Sequence, residues 1–331
     1  MNTTLQCDDG KITVKNGSNK KMISKTKNKQ QQMADIQKPF IKWVGGKTQI
    51  INEIIPHIPA EMNNYREPFL GGGSVLLAVL SLRKQGQITI KGSVYAYDIN
   101  EALIWLYKHV QTDSSRLYKY IRRYIDKYDG ITGTTINREP NTLEEAKTSK
   151  ESFYYWMRHK YNSIKKGTVK RSALFMILNK TCFRGMYREG PNGYNVPYGH
   201  YKKTPAIITK EELDNVSDLL TDVIFECADF QSSMGRIEKG DFVYLDPPYA
   251  PENSTSFVGY TVDGFDLATH QKLFKLIRGM DGKKNRFVLC NAKVDLVVSA
   301  FSDYNIQDVV ARRAINSKKP GSTTMEVIVY N

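Results

Sequence analysis

Apolar positions along the chain fall into short blocks separated by polar and glycine-rich stretches. Residues 65–69 form a run of strand length that feeds Gly71-Gly72-Gly73, and the unbroken apolar segment 75–82 predicts a buried helix. Residues 93–97 predict a second strand, ending at Asp98, and residues 101–110 predict the next helix. Strand, tight glycine turn, helix, strand and terminal acid make the front half of a doubly wound sheet.

The period then changes. Thr142-Leu143-Glu144-Glu145 has capping-box spacing and predicts one helix running through Tyr155 and Tyr161. Residues 172–178 predict a short buried helix. Residues 182–201, rich in Gly, Pro, Asn, Arg and Tyr, predict an exposed hairpin or loop that touches a partner. Alternation resumes with a helix opened by Thr209 to Glu212, strands at 223–227 and 242–245, a helix at 266–280, a strand at 286–290 and a helix at 294–301. Two last strands, 309–313 and 325–330, flank a loop holding Pro320-Gly321. The expected fold class is α/β: a mixed twisted sheet with a C-terminal antiparallel hairpin, interrupted by a mostly helical insert.

Composition narrows the partners. The chain has 331 residues, enough for about two domains. With 40% apolar residues it can bury a core, and no apolar run approaches the roughly 20 residues of a spanning helix. No apolar leader segment opens the chain, so an intracellular, cytoplasmic protein is expected. Lys and Arg exceed Asp and Glu by 48 to 34, a net +14, which points to a polyanion such as nucleic acid. Cys7, Cys182, Cys227 and Cys290 are too scattered for a metal site or a disulfide framework, and no metal is expected. Residues 1–37 are polar and lysine-studded, the composition of a disordered basic tail.

Three segments carry candidate chemistry. Asp246-Pro247-Pro248-Tyr249 ends an apolar strand, where open α/β sheets bind ligands. Two prolines remove two N–H donors, so an amino group could donate to the Asp246 carboxylate and the Pro247 carbonyl while Tyr249 stacks on its ring. Residues 67–74 (EPFLGGGS) form a turn that can approach a ligand closely, although Leu76 breaks the dinucleotide fingerprint. Asp98 has two readings open to it, acceptor for ribose hydroxyls or helix N-cap. Residues 42–47 (KWVGGK) suggest a loop closing over an anionic or carboxylate-bearing ligand.

In the order KWVGGK, EPFLGGGS, AYDIN (96–100), NVPYGHYK (195–202) and DPPY (246–249), these blocks resemble the Dam-type DNA adenine-N6 methyltransferases, the alpha group of the D12 class. The resemblance implies S-adenosyl-L-methionine as cofactor, held by Trp43, Lys47, Phe69, Gly71, Gly73, Asp98, Asp229, Phe230 and Asp246. It implies Asp246 to Tyr249 as the catalytic segment, acting on an adenine flipped from duplex DNA. It makes residues 178–201 a target-recognition hairpin, with Phe183, Arg184, Met186, Arg188 and Pro197 toward base edges and His200, Lys202 and Lys203 toward phosphate, while Lys42 reaches DNA from the cofactor loop. Arginine reads guanine bidentately and apolar atoms meet the thymine methyl. GATC-specific relatives usually carry Asn where Arg184 stands, and Glu189-Gly190-Pro191 also differs. The implied domains are a catalytic first part at 38–110, a target-recognition domain at 111–207 and a catalytic second part at 208–331. Residues 251–260, with Phe257 and Tyr260, are expected to close over the base. A cognate restriction endonuclease is an expected companion.

Overall fold

The computed structural model describes residues 36–201, 203–251, 265–281, 285–312 and 323–331. The expectations for residues 1–35, Lys202, Phe257, Tyr260 and Pro320-Gly321 lie outside that range.

Seven strands make the central sheet. They are β2 (Tyr65–Glu67), β4 (Val94–Asp98), β7 (Val223–Cys227), β8 (Phe242–Leu245), β9 (Arg286–Ala292), β10 (Asn305–Arg312) and β11 (Thr323–Tyr330). Their order is β10-β11-β9-β8-β2-β4-β7. The run from β9 to β7 is parallel, while β11 pairs antiparallel with both β9 and β10. This is a mixed α/β fold with a mostly parallel sheet. From β2 the chain moves outward to β4 and β7, then returns to β8 on the other side of β2, so the strand order reverses beside β2. That reversal opens a crevice at the carboxyl ends of β2 and β8.

A buried ion pair secures these two strands at their other end. Arg66 Nε lies 2.5 Å from Asp241 Oδ2, and the Arg66 guanidinium sits 4.3 Å from the Tyr95 ring centroid. Asp241 also accepts from Asn64 Nδ2 at 2.7 Å and from Glu238 N at 3.0 Å. The buried charge therefore has several donors, the condition under which such a group is tolerated.

Helices cover both faces. The apolar run 75–82 lies within α2 (Ser74–Lys84), whose residues Ser74 to Leu82 are all buried. On the other face, α9 (Leu267–Asp281) packs Leu273, Phe274 and Ile277 against Val243, Leu245, Phe287 and Leu289 of the sheet. The helix foreseen at 101–110 is far longer. It is α3 (Glu101–Asp129), kinked at Asp113 (φ −147°, ψ 32°).

The single helix expected from Thr142 is broken. Thr142 caps only α4 (Leu143–Ala146), and Ser149 starts α5 (Lys150–Ser163) with its own cap. The Glu145 carboxylate accepts from Asn141 N at 2.9 Å, so the reciprocal half of a capping box is not formed there. At Thr209 both halves are present and open α7 (Lys210–Leu219). The buried segment at 172–178 belongs to α6 (Val169–Thr181), capped by Thr168. Two short strands, β1 (Glu61–Met62) and β3 (Thr89–Ile90), pair outside the main sheet; nothing in the apolar pattern marked them. Among the described residues no helix is long and apolar enough to cross a membrane.

Candidate active site and nucleic-acid interface

Parallel pairing of β2 with β8 sets the chemistry-bearing segments side by side. Tyr65 is in register with Phe242 and Arg66 with Val243. The glycine turn therefore leaves β2, and Asp246-Pro247-Pro248-Tyr249 leaves β8, at the same edge of the sheet. Asp98 stands at the end of the neighbouring β4, and Asp229 follows β7.

The turn is closed from both sides. Gly71 and Gly73 have positive φ (49° and 66°), the left-handed region that a side chain disfavours. A Cβ on Gly73 would lie 2.3 Å from the Tyr107 hydroxyl oxygen, and one on Gly71 or Gly72 would come within 3.0 Å of Trp43. Asp98 holds the turn, because Oδ2 accepts from Gly71 N at 2.9 Å and Oδ1 from Asn100 N at 2.9 Å. The N-cap of α3 is Asn100, whose side chain accepts from Leu103 N. Burial raises the Asp98 pKa, opposed by these backbone donors.

Beneath the turn, Glu67 is buried and accepts from Tyr65 Oη at 2.6 Å, and burial raises its pKa well above the usual carboxylate value. Phe69 stacks on Phe230 at 5.8 Å. Asp229 is the N-cap of α8 (Phe230–Met234), accepting from Ser232 N at 2.7 Å, while Phe230 itself is buried.

Lys47 begins a 3₁₀ turn, Lys47–Gln49, and is only 4% exposed. Its Nζ reaches Asp246 Oδ2 at 2.8 Å and the Gly45 carbonyl at 2.5 Å, and stands 4.9 Å from the Tyr249 ring centroid. Desolvation pushes the Asp246 carboxyl up to about 6, against the pull of Lys47; Glu326 adds to the rise. For Lys47, burial lowers the pKa, but Asp246 and other nearby acidic groups outweigh it, so the net shift is upward. Asp246, its side chain 19% exposed, thus faces a nitrogen donor where solvent is largely excluded, and a hydrogen bond to a charged acceptor there is strong.

The rest of this segment is fastened from behind. The Pro248 carbonyl lies 3.2 Å from His270 Nε2, Ala250 N donates to Asn291 Oδ1 at 3.0 Å, and Tyr249 Oη donates to Glu326 Oε2 at 2.6 Å. None of His270, Asn291 or Glu326 stood out in the sequence. They lie 22 to 77 positions away along the chain, and only the sheet brings them near.

The model of the D12 class N6 adenine-specific DNA methyltransferases matches residues 43–315, which include Lys47, the glycine turn, Asp98, Asp229 and Asp246 to Tyr249. The chain belongs to that family. Type II methyltransferase M.MjaIII of Methanocaldococcus jannaschii is 38% identical over 306 residues, covering 89% of this chain and 99% of that protein. Type II methyltransferase M1.LlaDCHI of Lactococcus lactis subsp. cremoris is 29% identical over 303 residues, with 89% and 95% covered. The DNA adenine methylase of Escherichia coli K12 is 28% identical over 290 residues, with 87% and 92% covered. As a member of this family the protein methylates adenine in DNA.

The segment expected to read that DNA is a compact loop built on short elements. A 3₁₀ turn, Phe183–Gly185, leads to the two-residue strands β5 (Glu189–Gly190) and β6 (Gly193–Tyr194). Phe183, Arg184, Arg188, Pro197, His200 and Lys203 are exposed, and Met186 is half-buried. Arg184 has φ 55° and its guanidinium lies 5.1 Å from the Phe183 ring centroid. Arg188 Nε donates to Asn195 Oδ1 at 2.7 Å, across the hairpin. His200, also at positive φ (48°), has Nδ1 3.6 Å from the buried Glu151 carboxylate. The Pro197 carbonyl accepts from Phe183 N at 2.8 Å. Lys42 Nζ donates to Tyr201 Oη at 3.2 Å. Among the described residues no group of three or more His, Cys, Asp or Glu side chains could hold a metal.

Proposed function

We propose that this chain transfers the methyl group of S-adenosyl-L-methionine to N6 of an adenine extruded from duplex DNA at a short recognition sequence. The observation that carries this reading is the Asp246 carboxylate, held 2.8 Å from an ammonium nitrogen at the edge where the glycine turn opens. A carboxylate in that position is suited to a second nitrogen donor, the exocyclic amine of a base.

The crevice fits the donor. Gly71–Gly73 forms a turn free of side chains, whose backbone a ligand can approach closely, Asp98 offers carboxylate oxygens to ribose hydroxyls, and Phe69 with Phe230 offers an aromatic wall to an adenine ring. Trp43 and Lys47 flank the turn from the 42–47 loop. A bound sulfonium donor supplies an electrophilic methyl carbon.

The protein's own part is positioning and polarisation. Asp246 accepts one N6 hydrogen and the Pro247 carbonyl the other, which draws the nitrogen lone pair away from ring conjugation. Lys47 keeps Asp246 ionised and oriented. Tyr249, its hydroxyl fixed by Glu326, presents a ring face to the base. No covalent enzyme intermediate is required. Unstacking the adenine costs a few kcal/mol. Contacts from Phe183, Arg184, Met186, Arg188 and Pro197 to bases, and from Lys42, His200, Lys202 and Lys203 to phosphate or neighbouring groups, offset that cost.

The domain limits 38–110, 111–207 and 208–331 and a cytoplasmic location belong to the same proposal. Two relatives named type II methyltransferases support a role alongside a cognate endonuclease. Incubating the full chain with labelled S-adenosyl-L-methionine and genomic DNA, then locating the modified adenines by sequencing, tests the reading. One short sequence methylated at adenine N6 is expected. Label on cytosine, or no label in DNA, would refute it.

A further inference from the structure

Asn179 lies in the last turn of α6, 1% exposed, and its amide bridges two loops far apart in sequence. Oδ1 accepts from Lys42 N at 2.8 Å, and Nδ2 donates to the Lys42 carbonyl at 2.7 Å and to the Gly185 carbonyl at 3.3 Å. Turning the amide over would set N–H against N–H and oxygen against oxygen, so the network admits one orientation. One side chain thus holds both backbone groups of Lys42 and one of Gly185.

The loops touch beyond this clamp. A Cβ on Gly185 would lie 2.5 Å from Lys42 Cβ. Trp43, the next residue, has its ring centroid 5.8 Å from that of Tyr187, the planes tilted by 32°, and also bounds Gly71 and Gly72. Lys47, in the same loop, holds Asp246. A continuous set of contacts therefore runs from residues 185–187 through Asn179, Lys42 and Trp43 to the glycine turn and the carboxylate. Separating Asn179 from either loop would leave buried polar groups unpaired, which costs more than the bonds contribute on balance. The loops therefore shift together.

We infer that Asn179 is a positioning residue that couples DNA contact at residues 183–188 to the methyl-donor crevice, so that DNA and donor bind cooperatively. The inference rests on the functional reading above. Coupling of this kind is reciprocal, typically about 5-fold to 150-fold in affinity.

The test measures the dissociation constant of S-adenosylhomocysteine for the full chain, alone and with a duplex carrying the methylated sequence. In the parent protein the duplex should tighten binding at least about fivefold. In Asn179→Ala both binary affinities should stay within about threefold of the parent, while the tightening falls below about twofold. Gly185→Ala, which forces the loops apart with Asn179 intact, should lose the tightening in the same way, and it carries the test if Asn179→Ala does not fold. A merely structural role would lower the melting temperature and leave the tightening ratio unchanged. Full tightening in the folded variants, or none in the parent, overturns the inference while leaving adenine methylation standing. If Arg188→Ala and Lys203→Ala both leave DNA affinity unchanged, the reading of the loop as the DNA contact falls, and the inference falls with it.

Discussion

The strand tips and the recognition loop meet their polar groups in different ways. At the tip of β8, Asp246, Pro248, Tyr249 and Ala250 each have a partner on another element: Lys47, His270, Glu326 and Asn291. In the loop, Arg188 bonds back to Asn195 of the same hairpin, and Phe183, 42% exposed, presents its ring to solvent. The first arrangement is set before any ligand arrives, which is how a site stabilises a transition state without reorganising. The second leaves side chains that must exchange local partners for DNA. Catalysis should therefore depend on single buried atoms, and recognition should be spread over several exposed ones.

The sharpest way to break this contrast is Asp246→Ala. Methyl transfer should fall by about a hundredfold to a thousandfold, the scale of losing a key polar group in a preorganised site, with DNA binding retained in a gel-shift titration. Turnover near the parent rate would remove Asp246 from the chemistry. Gly73→Ala should come next. A Cβ 2.3 Å from Tyr107 Oη at φ 66° forces the turn to shift, so donor affinity should fall by at least about tenfold and the protein should lose about 1–3 kcal/mol in denaturant unfolding. An unchanged midpoint would show that the turn tolerates the strain.

The loop should respond more mildly. Arg188→Ala should relax discrimination at one base position by about tenfold to a hundredfold, read from methylation rates on single-mismatch duplexes. A uniform loss across all duplexes would make Arg188 a phosphate contact instead. Lys203→Ala should weaken binding evenly and reduce the salt slope by about one. A changed sequence preference would place it at a base edge.

The same contrast explains what the sequence disclosed. Gly71-Gly72-Gly73 and Asp246-Pro247-Pro248-Tyr249 were legible because strand termination, positive φ and missing N–H donors leave their mark in local composition. The parallel sheet then placed both at one edge. Asn179 left a fainter mark, a polar residue at the end of the apolar run 173–178 of a buried helix. Glu326 and His270 left none, because their partners lie on strands and loops that only the tertiary fold brings together. The helix foreseen from Thr142 stopped early for a similar reason: Glu145 found Asn141 N, and Ser149 offered a second cap. Arg184 and His200 hold positive φ without being glycine, which composition does not disclose.

The central claim is that Asp246 acts as a carboxylate toward the amine, from a setting that lifts its pKa to about 6. The most direct measurement is the rate of methyl transfer at subsaturating DNA and donor, from pH 5 to pH 9, because kcat/KM reports the groups of the free enzyme. Asp246 is ionised above its pKa and protonated below it. The rate should therefore be level above about pH 7 and fall with acid through a limb near 6, and Glu326→Gln should move that limb lower by removing a neighbouring negative charge. A rate that stays level to pH 5, or one that rises as Asp246 takes up its proton, would contradict the account.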